Sequence, residues 1–233
     1  MRKEDQMNKK MIIAAFVLSL FLSVGNASAL PTLQGDFTWV DADYWTLTDW
    51  TTANTNFTLV FESASWESEF GLYSVDDINN PTSIESTYTV FTGSQEPSTI
   101  YWYSTSTSVY FQEIDGVWYV DNNENWADET NVALDDVFGF YFKTSTEYSW
   151  YTDILFNSDD SEHILIAYSA SLKTAVFFLD DQPIYNADLD YNDMITAGDD
   201  LAPAPVPEPA TMLLLGSGLV GIAAIRRKKL FRK

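Results

Sequence analysis

The chain has 233 residues, twelve Lys and Arg against thirty-four Asp and Glu, one His and no Cys, for a formal net charge of −22. The missing cysteine excludes disulfides, thiolate metal sites and thiol nucleophiles, and so acidic a surface repels phosphate backbones, which excludes nucleic acid as a partner. Eight Trp, thirteen Tyr and fifteen Phe, each burying about 150–250 Å², point to a folded aromatic core despite the charge.

At the N-terminus, Asn8, Lys9 and Lys10 precede an uncharged apolar stretch over residues 11–24, and Ala27, Ser28 and Ala29 supply the small residues a signal peptidase reads. Residues 1–29 are expected to be a signal peptide for the general secretory route, with the mature chain starting near Leu30. Met7 offers a second start, because residues 1–6 place two acids and two bases ahead of it. Between Leu30 and Pro205 only Lys143 and Lys173 are basic, against thirty-one Asp and Glu, which leaves a formal charge of −29. Such a body draws divalent cations, which relieve its self-repulsion. The same composition also serves solubility alone.

Within the body, short aromatic and β-branched runs alternate with Asn, Asp, Gly, Ser and Pro. Strands are expected over 56–63, 69–75, 88–92, 100–103, 108–114, 117–120, 137–143, 153–156, 162–169 and 174–179. Phe57, Leu59 and Phe61 alternate with Thr58, Val60 and Glu62, which places three large apolar residues on one sheet face. Asp115-Gly116 between two such runs predicts a tight hairpin. The polar tract 104–108 reads as an edge or loop, and no sustained helical period occurs. These features predict an all-β domain over 30–201, an antiparallel β-sandwich for which a jelly-roll arrangement is one option.

The strongest chemical candidate is the run Asp188-Leu189-Asp190-Tyr191-Asn192-Asp193. Oxygen donors at Asp188, Asp190 and Asn192 alternate along a tight loop and Asp193 adds another, which suits a hard cation that takes six to eight oxygens at about 2.3–2.6 Å. With Asp180 and Asp181, these six residues form the candidate Ca²⁺ set. The run is not an EF-hand, because its sixth position is Asp193 and its twelfth is Asp199. The alternative is a solvated turn whose Asp and Asn side chains cap their own backbone. A second polar run, Asp121-Asn122-Asn123-Glu124-Asn125, reads as a hairpin loop.

No nucleophile elbow, zinc-protease helix or glycine-rich phosphate loop occurs. The single histidine, His163, lies between Glu162 and the apolar Ile164-Leu165-Ile166, where it reads as structural rather than as a general base. The chain is therefore expected not to be an enzyme. A glycosidase needs only two carboxylates about 5–9.5 Å apart, and with thirty-one acids that alternative stays open. A second alternative is carbohydrate binding through rings drawn from Trp39, Trp45, Trp50, Trp102 and Trp126.

The C-terminus has three parts in order. Residues 202–209 run through Pro203, Pro205 and Val206 into Pro207-Glu208-Pro209, an extended proline-rich spacer. Residues 210–225 follow as an uncharged apolar run, roughly 24 Å long as a helix at about 1.5 Å per residue. Arg226, Arg227, Lys228 and Lys229 open a basic tail over 226–233, which the positive-inside rule keeps in the cytoplasm. This Pro-Glu-Pro, apolar span and basic stop resemble the PEP-CTERM signal of Gram-negative bacteria. The resemblance implies processing by an exosortase, transient residence in the inner membrane, and delivery to the cell surface or extracellular matrix.

A second resemblance covers residues 56–195. Phe70-Gly71-Leu72-Tyr73, Phe138-Gly139-Phe140-Tyr141, Phe177-Phe178-Leu179-Asp180-Asp181 and the 188–193 run followed by Met194-Ile195 are similar to the DUF4114 domain of bacterial surface proteins. The chain departs from that pattern where family members carry Glu after the paired aromatics and it has Leu179 before Asp180. Together these features predict an exported, Ca²⁺-stabilised, non-catalytic surface or matrix protein. Extracellular polysaccharide is a candidate partner, and a carbohydrate-binding module or glycoside hydrolase is the alternative.

Overall fold

The structure is a computed structural model that describes residues 33, 35–51, 53–62, 68–93, 101–122, 131–144, 148–183, 185 and 190–205, with residues 101–105 described in backbone alone. The expected signal peptide 1–29, the sorting motif Pro207-Glu208-Pro209, the apolar span 210–225 and the basic tail lie outside the described residues. Among the described residues, no helix is long and apolar enough to cross a membrane.

The described residues form fourteen strands: β1 Thr38–Val40, β2 Trp45–Leu47, β3 Asn54–Glu62, β4 Ser68–Val75, β5 Ile84–Thr92, β6 Tyr101–Ile114, β7 Val117–Asp121, β8 Val132–Ala133, β9 Gly139–Thr144, β10 Ser149–Tyr151, β11 Ile164–Ser169, β12 Thr174–Leu179, β13 Met194–Asp199 and β14 Leu201–Pro203. One eight-stranded sheet has the order β1-β11-β12-β13-β3-β6-β7-β8, a four-stranded sheet has the order β10-β9-β4-β5, and β14 pairs with β2. Every pairing is antiparallel. The expected all-β antiparallel class is what the chain adopts.

The two sheets share one aromatic core. Phe57 of β3 and Phe177 of β12 meet Phe70 of β4 and Phe140 of β9, with ring centroids 4.3 Å apart for Phe140 and Phe177 and 5.7 Å for the stacked pair Phe70 and Phe140. Trp45 presents edges to Phe140 and Phe177 at 6.2 and 6.1 Å, and its Nε1–H donates to the Ala42 carbonyl at 3.1 Å, which satisfies its one polar atom. All six residues of β12 are buried because both faces of its sheet are covered. Ala175, Phe177 and Leu179 point into the inter-sheet core, while Val176 and Phe178 join a second cluster with Phe37 and Ile195, against which Leu33 and Trp39 pack.

Four sequence expectations change. The segments 100–103 and 108–114 are one strand, β6, and the polar tract between them is strand rather than loop: it pairs with β3 on one side, while β7 pairs only with Tyr110–Ile114. Its Ser and Thr side chains make cross-strand pairs, Thr58 with Ser106 at 2.8 Å and Ser108 donating to Asn56 at 2.8 Å, the way polar residues are accommodated on a sheet face. Residues 153–156 are not a strand. Asp153 accepts from the Leu155 N–H at 2.9 Å and caps a single 3-10 turn, Ile154–Phe156. Phe61 does not share a face with Phe57 and Leu59, because a register shift between Leu59 and Phe61 turns it into the second cluster. Ala202 and Pro203, expected in a free spacer, pair with Thr46 and Trp45, and the Ala204 N–H donates to the Tyr44 carbonyl at 2.9 Å. The Asp115-Gly116 hairpin forms as expected, with φ of 54° and 84° at its two central residues, the combination the right-handed strand twist favours.

Candidate metal centre

Sheet pairing brings the acidic residues together. β12 and β13 pair with Leu179 opposite Met194, so the next residues outward are Asp180 and Asp193. Backbone bonds fix both ends: the Asp193 N–H donates to the Leu179 carbonyl at 3.1 Å and the Asp180 N–H donates to the His163 carbonyl at 3.0 Å. The Asp181 N–H then donates to Asp193 Oδ2 at 2.7 Å. Oxygens of Asp180, Asp181 and Asp193 consequently lie within 4.8 Å of one another. Asp180 and Asp181 are buried, at 0 % and 4 % exposure.

Three carboxylates confined this closely work against one another's ionisation. The Asp193 carboxyl is pushed up to about 8, by burial first, then by the charge of Asp181, with Asp180 and Asp190 adding to it, while the hydrogen bond from Asp181 opposes the shift. Gln182 orders the other two: its N–H donates to Asp180 Oδ1 at 3.1 Å and its side-chain amide donates to Asp181 Oδ1 at 2.9 Å. The sequence reading missed Gln182. The signal was present in Asp180-Asp181-Gln182, a run whose first side chain can accept from the backbone two residues on.

The remaining members of the expected set divide. Asp190 is exposed and engages its neighbour, with the Asn192 side-chain amide donating to Asp190 Oδ2 at 2.6 Å and the Asn192 N–H donating to Asp190 Oδ1 at 3.2 Å. Between them Tyr191 takes a φ of 51° and its hydroxyl donates to the Glu162 carbonyl at 3.2 Å. Asp188 lies outside the described residues, as do Asn123, Glu124 and Asn125 of the second polar run. The donor set that converges is all hard oxygen, which suits a hard cation rather than a soft metal.

His163 lies at the same end of the large sheet, buried at 1 % exposure. Its ring stacks on Trp150 with centroids 3.6 Å apart, and its Nε2 lies 3.1 Å from both oxygens of Asp159. Burial holds its pKa below the ordinary histidine value, partly offset by Asp159. Of the rings considered for sugar stacking, Trp45 is fully buried, Trp39 packs edge-on against Phe178 at 5.5 Å, and Trp50 lies 4.4 Å from Trp118. Trp126 and the side chain of Trp102 lie outside the description.

A family model for the PEP-CTERM protein-sorting motif matches residues 205–228. No curated protein and no solved structure matches the chain. The motif marks an exosortase-sorted extracellular protein, made as a secreted, membrane-anchored precursor and sorted to the cell surface.

Proposed function

We propose that the sorted body is a non-catalytic component of the surface or extracellular matrix of a Gram-negative cell, stabilised by Ca²⁺ held between Asp180, Asp181 and Asp193. The convergence of those three carboxylates within 4.8 Å, in a body whose formal charge is −29, carries the reading. Each carboxylate that accepts a hydrogen bond from Gln182 or from the Asp181 N–H keeps lone pairs for a cation.

The carbohydrate-binding alternative is weakened by Trp45, which is 0 % exposed, and by the engagement of Trp39 and Trp50 with other rings. For a glycosidase, Asp180 and Asp181 of the converged set are too buried to flank a sugar. Thermal unfolding of the full-length chain in detergent, in chelator and in millimolar Ca²⁺, tests the proposal. A higher midpoint in Ca²⁺ than in equimolar Mg²⁺ is expected; coincident midpoints in all three would remove calcium from it. New reducing ends on incubation with the cell's own exopolysaccharide would replace the structural role with catalysis.

A further inference from the structure

Apart from the three converged carboxylates, a cleft of about 440 Å³ opens between four segments: the stretch before β2, the β4–β5 connection, the 3-10 turn after β10, and the chain leaving β14. One wall is acidic, from Asp41, Asp43 and Asp153; another is apolar, from Ile78, Ile154 and Leu155. Its volume falls within the roughly 300–1,000 Å³ of small-ligand sites.

The acidic wall is fixed in place. The Tyr44 hydroxyl donates to Asp153 Oδ2 at 2.7 Å, and Asp153, itself 3 % exposed, also caps the turn through its other oxygen. Asp43 is held by its own carbonyl, which accepts from the Thr152 hydroxyl at 2.6 Å. The apolar wall is unusual for solvent-facing surface, because Leu155 is 70 % and Ile154 45 % exposed side by side. Among the described residues the basic side chains are Lys143, Lys173 and His163, and none lines the cleft. Lys143 lies 3.7 Å from Glu69.

We infer that this cleft binds a small organic cation, a protonated aliphatic amine whose hydrocarbon body lies along Ile154 and Leu155 while its charge meets Asp43 and Asp41. A bare metal ion would leave the apolar wall unused, and a neutral apolar molecule would leave the carboxylates facing one another. The field in the cleft is already unfavourable to more negative charge: Asp43 is pushed up to about 6 by burial, then by Asp153 and Asp41, and Glu162 is raised by burial, then by Asp41 and Asp43. A cation relieves that repulsion. The site is separate from the calcium reading and stands or falls without it.

Calorimetric titration of the full-length chain in detergent, at constant ionic strength and with millimolar Ca²⁺ throughout, tests it with 1,5-diaminopentane as the probe. Saturable binding is expected for the diamine and absent for 1,5-pentanediol, which has the body without the charge, and for ammonium, which has the charge without the body. Asp43→Asn should weaken the diamine about tenfold, as for loss of a charge-assisted contact, while Asp115→Asn at the distant hairpin tip should not. Leu155→Ser, at a position too exposed to endanger folding, should also weaken it and decides the matter if Asp43→Asn does not fold. Equal response to ammonium and diamine, or equal affinity in the Asp43, Asp115 and Leu155 variants, would reduce the effect to general attraction by an acidic protein and overturn the assignment.

Discussion

Replacing Asp193 by Asn should have opposite consequences with and without calcium. Two ionised carboxylates no more than 4.8 Å apart repel by at least about 3.5 kcal/mol at an effective dielectric of about 20. Asp193, pushed up to about 8, holds a proton at neutral pH and so removes most of that repulsion when no cation is present. An amide there has the same shape, no charge, and an oxygen still able to accept from the Asp181 N–H. In chelator, Asp193→Asn should therefore fall within about 1 kcal/mol of the unmodified chain, on the more stable side. In Ca²⁺ at about 100 times its Kd, the unmodified chain should gain about 2.7 kcal/mol. Loss of one anionic ligand, at about tenfold in affinity, should cut that gain by about 1.4 kcal/mol. For a domain of this size the two gains correspond to shifts of about 5–11 °C and roughly half of that. Scanning calorimetry of the two proteins under both conditions measures all four midpoints. Equal calcium shifts in the two proteins, or a variant markedly less stable than the parent in chelator, would refute the role given to Asp193.

Three other predictions concern the scaffold. Phe140, fully buried among Trp45, Phe57, Phe70, Phe138 and Phe177, should cost about 3–5 kcal/mol on replacement by Ala, read from urea unfolding midpoints. Gly71→Ala would place a Cβ 2.2 Å from the Tyr88 carbonyl oxygen across the β4–β5 pair, and forcing the strands apart should cost about 1–3 kcal/mol by the same measurement. Asp43, raised to about 6 by burial and neighbouring charge, binds its proton more tightly folded than unfolded. Its contribution to stability is present below the ordinary carboxylate pKa and is lost as pH rises to about 6. Asp43→Asn should remove that part of the pH dependence between about pH 4 and 6, a difference of about 1 kcal/mol or less after solvent screening, seen in paired melts across that range.

Local chemistry was the part of the fold most legible in the sequence. Asp115-Gly116 dictates its own turn, because both residues tolerate positive φ, and runs such as Thr174–Leu179 are too apolar and β-branched to be anything but covered strand. Pairing was not legible. Nothing in residues 104–108 reveals that Ser106 and Ser108 have partners in β3, so a polar tract read as a boundary. Asp153 supplies a turn cap in competition with a strand pattern, and the cap wins. A bulge in β3 turns Phe61 away from a face that strict alternation assigned to it. The candidate metal site follows the same division. The loop pattern drew attention to residues 188–193, yet the carboxylates that converge include Asp180 and Asp181, brought beside Asp193 by the register of β12 on β13. Asp190 and Asn192, which fit the spacing best, spend their side chains on each other.

The last described stretch of the chain is anchored to the middle of the protein. β14 lies against β2, and β2 carries Trp45, the indole wedged between the two sheets. Tension drawn through the residues that follow Pro205 reaches that indole through three paired residues and the Ala204–Tyr44 bond. Load on the tether is thereby delivered to a fully buried ring of the inter-sheet core, and peeling β14 away would be the first event of mechanical failure.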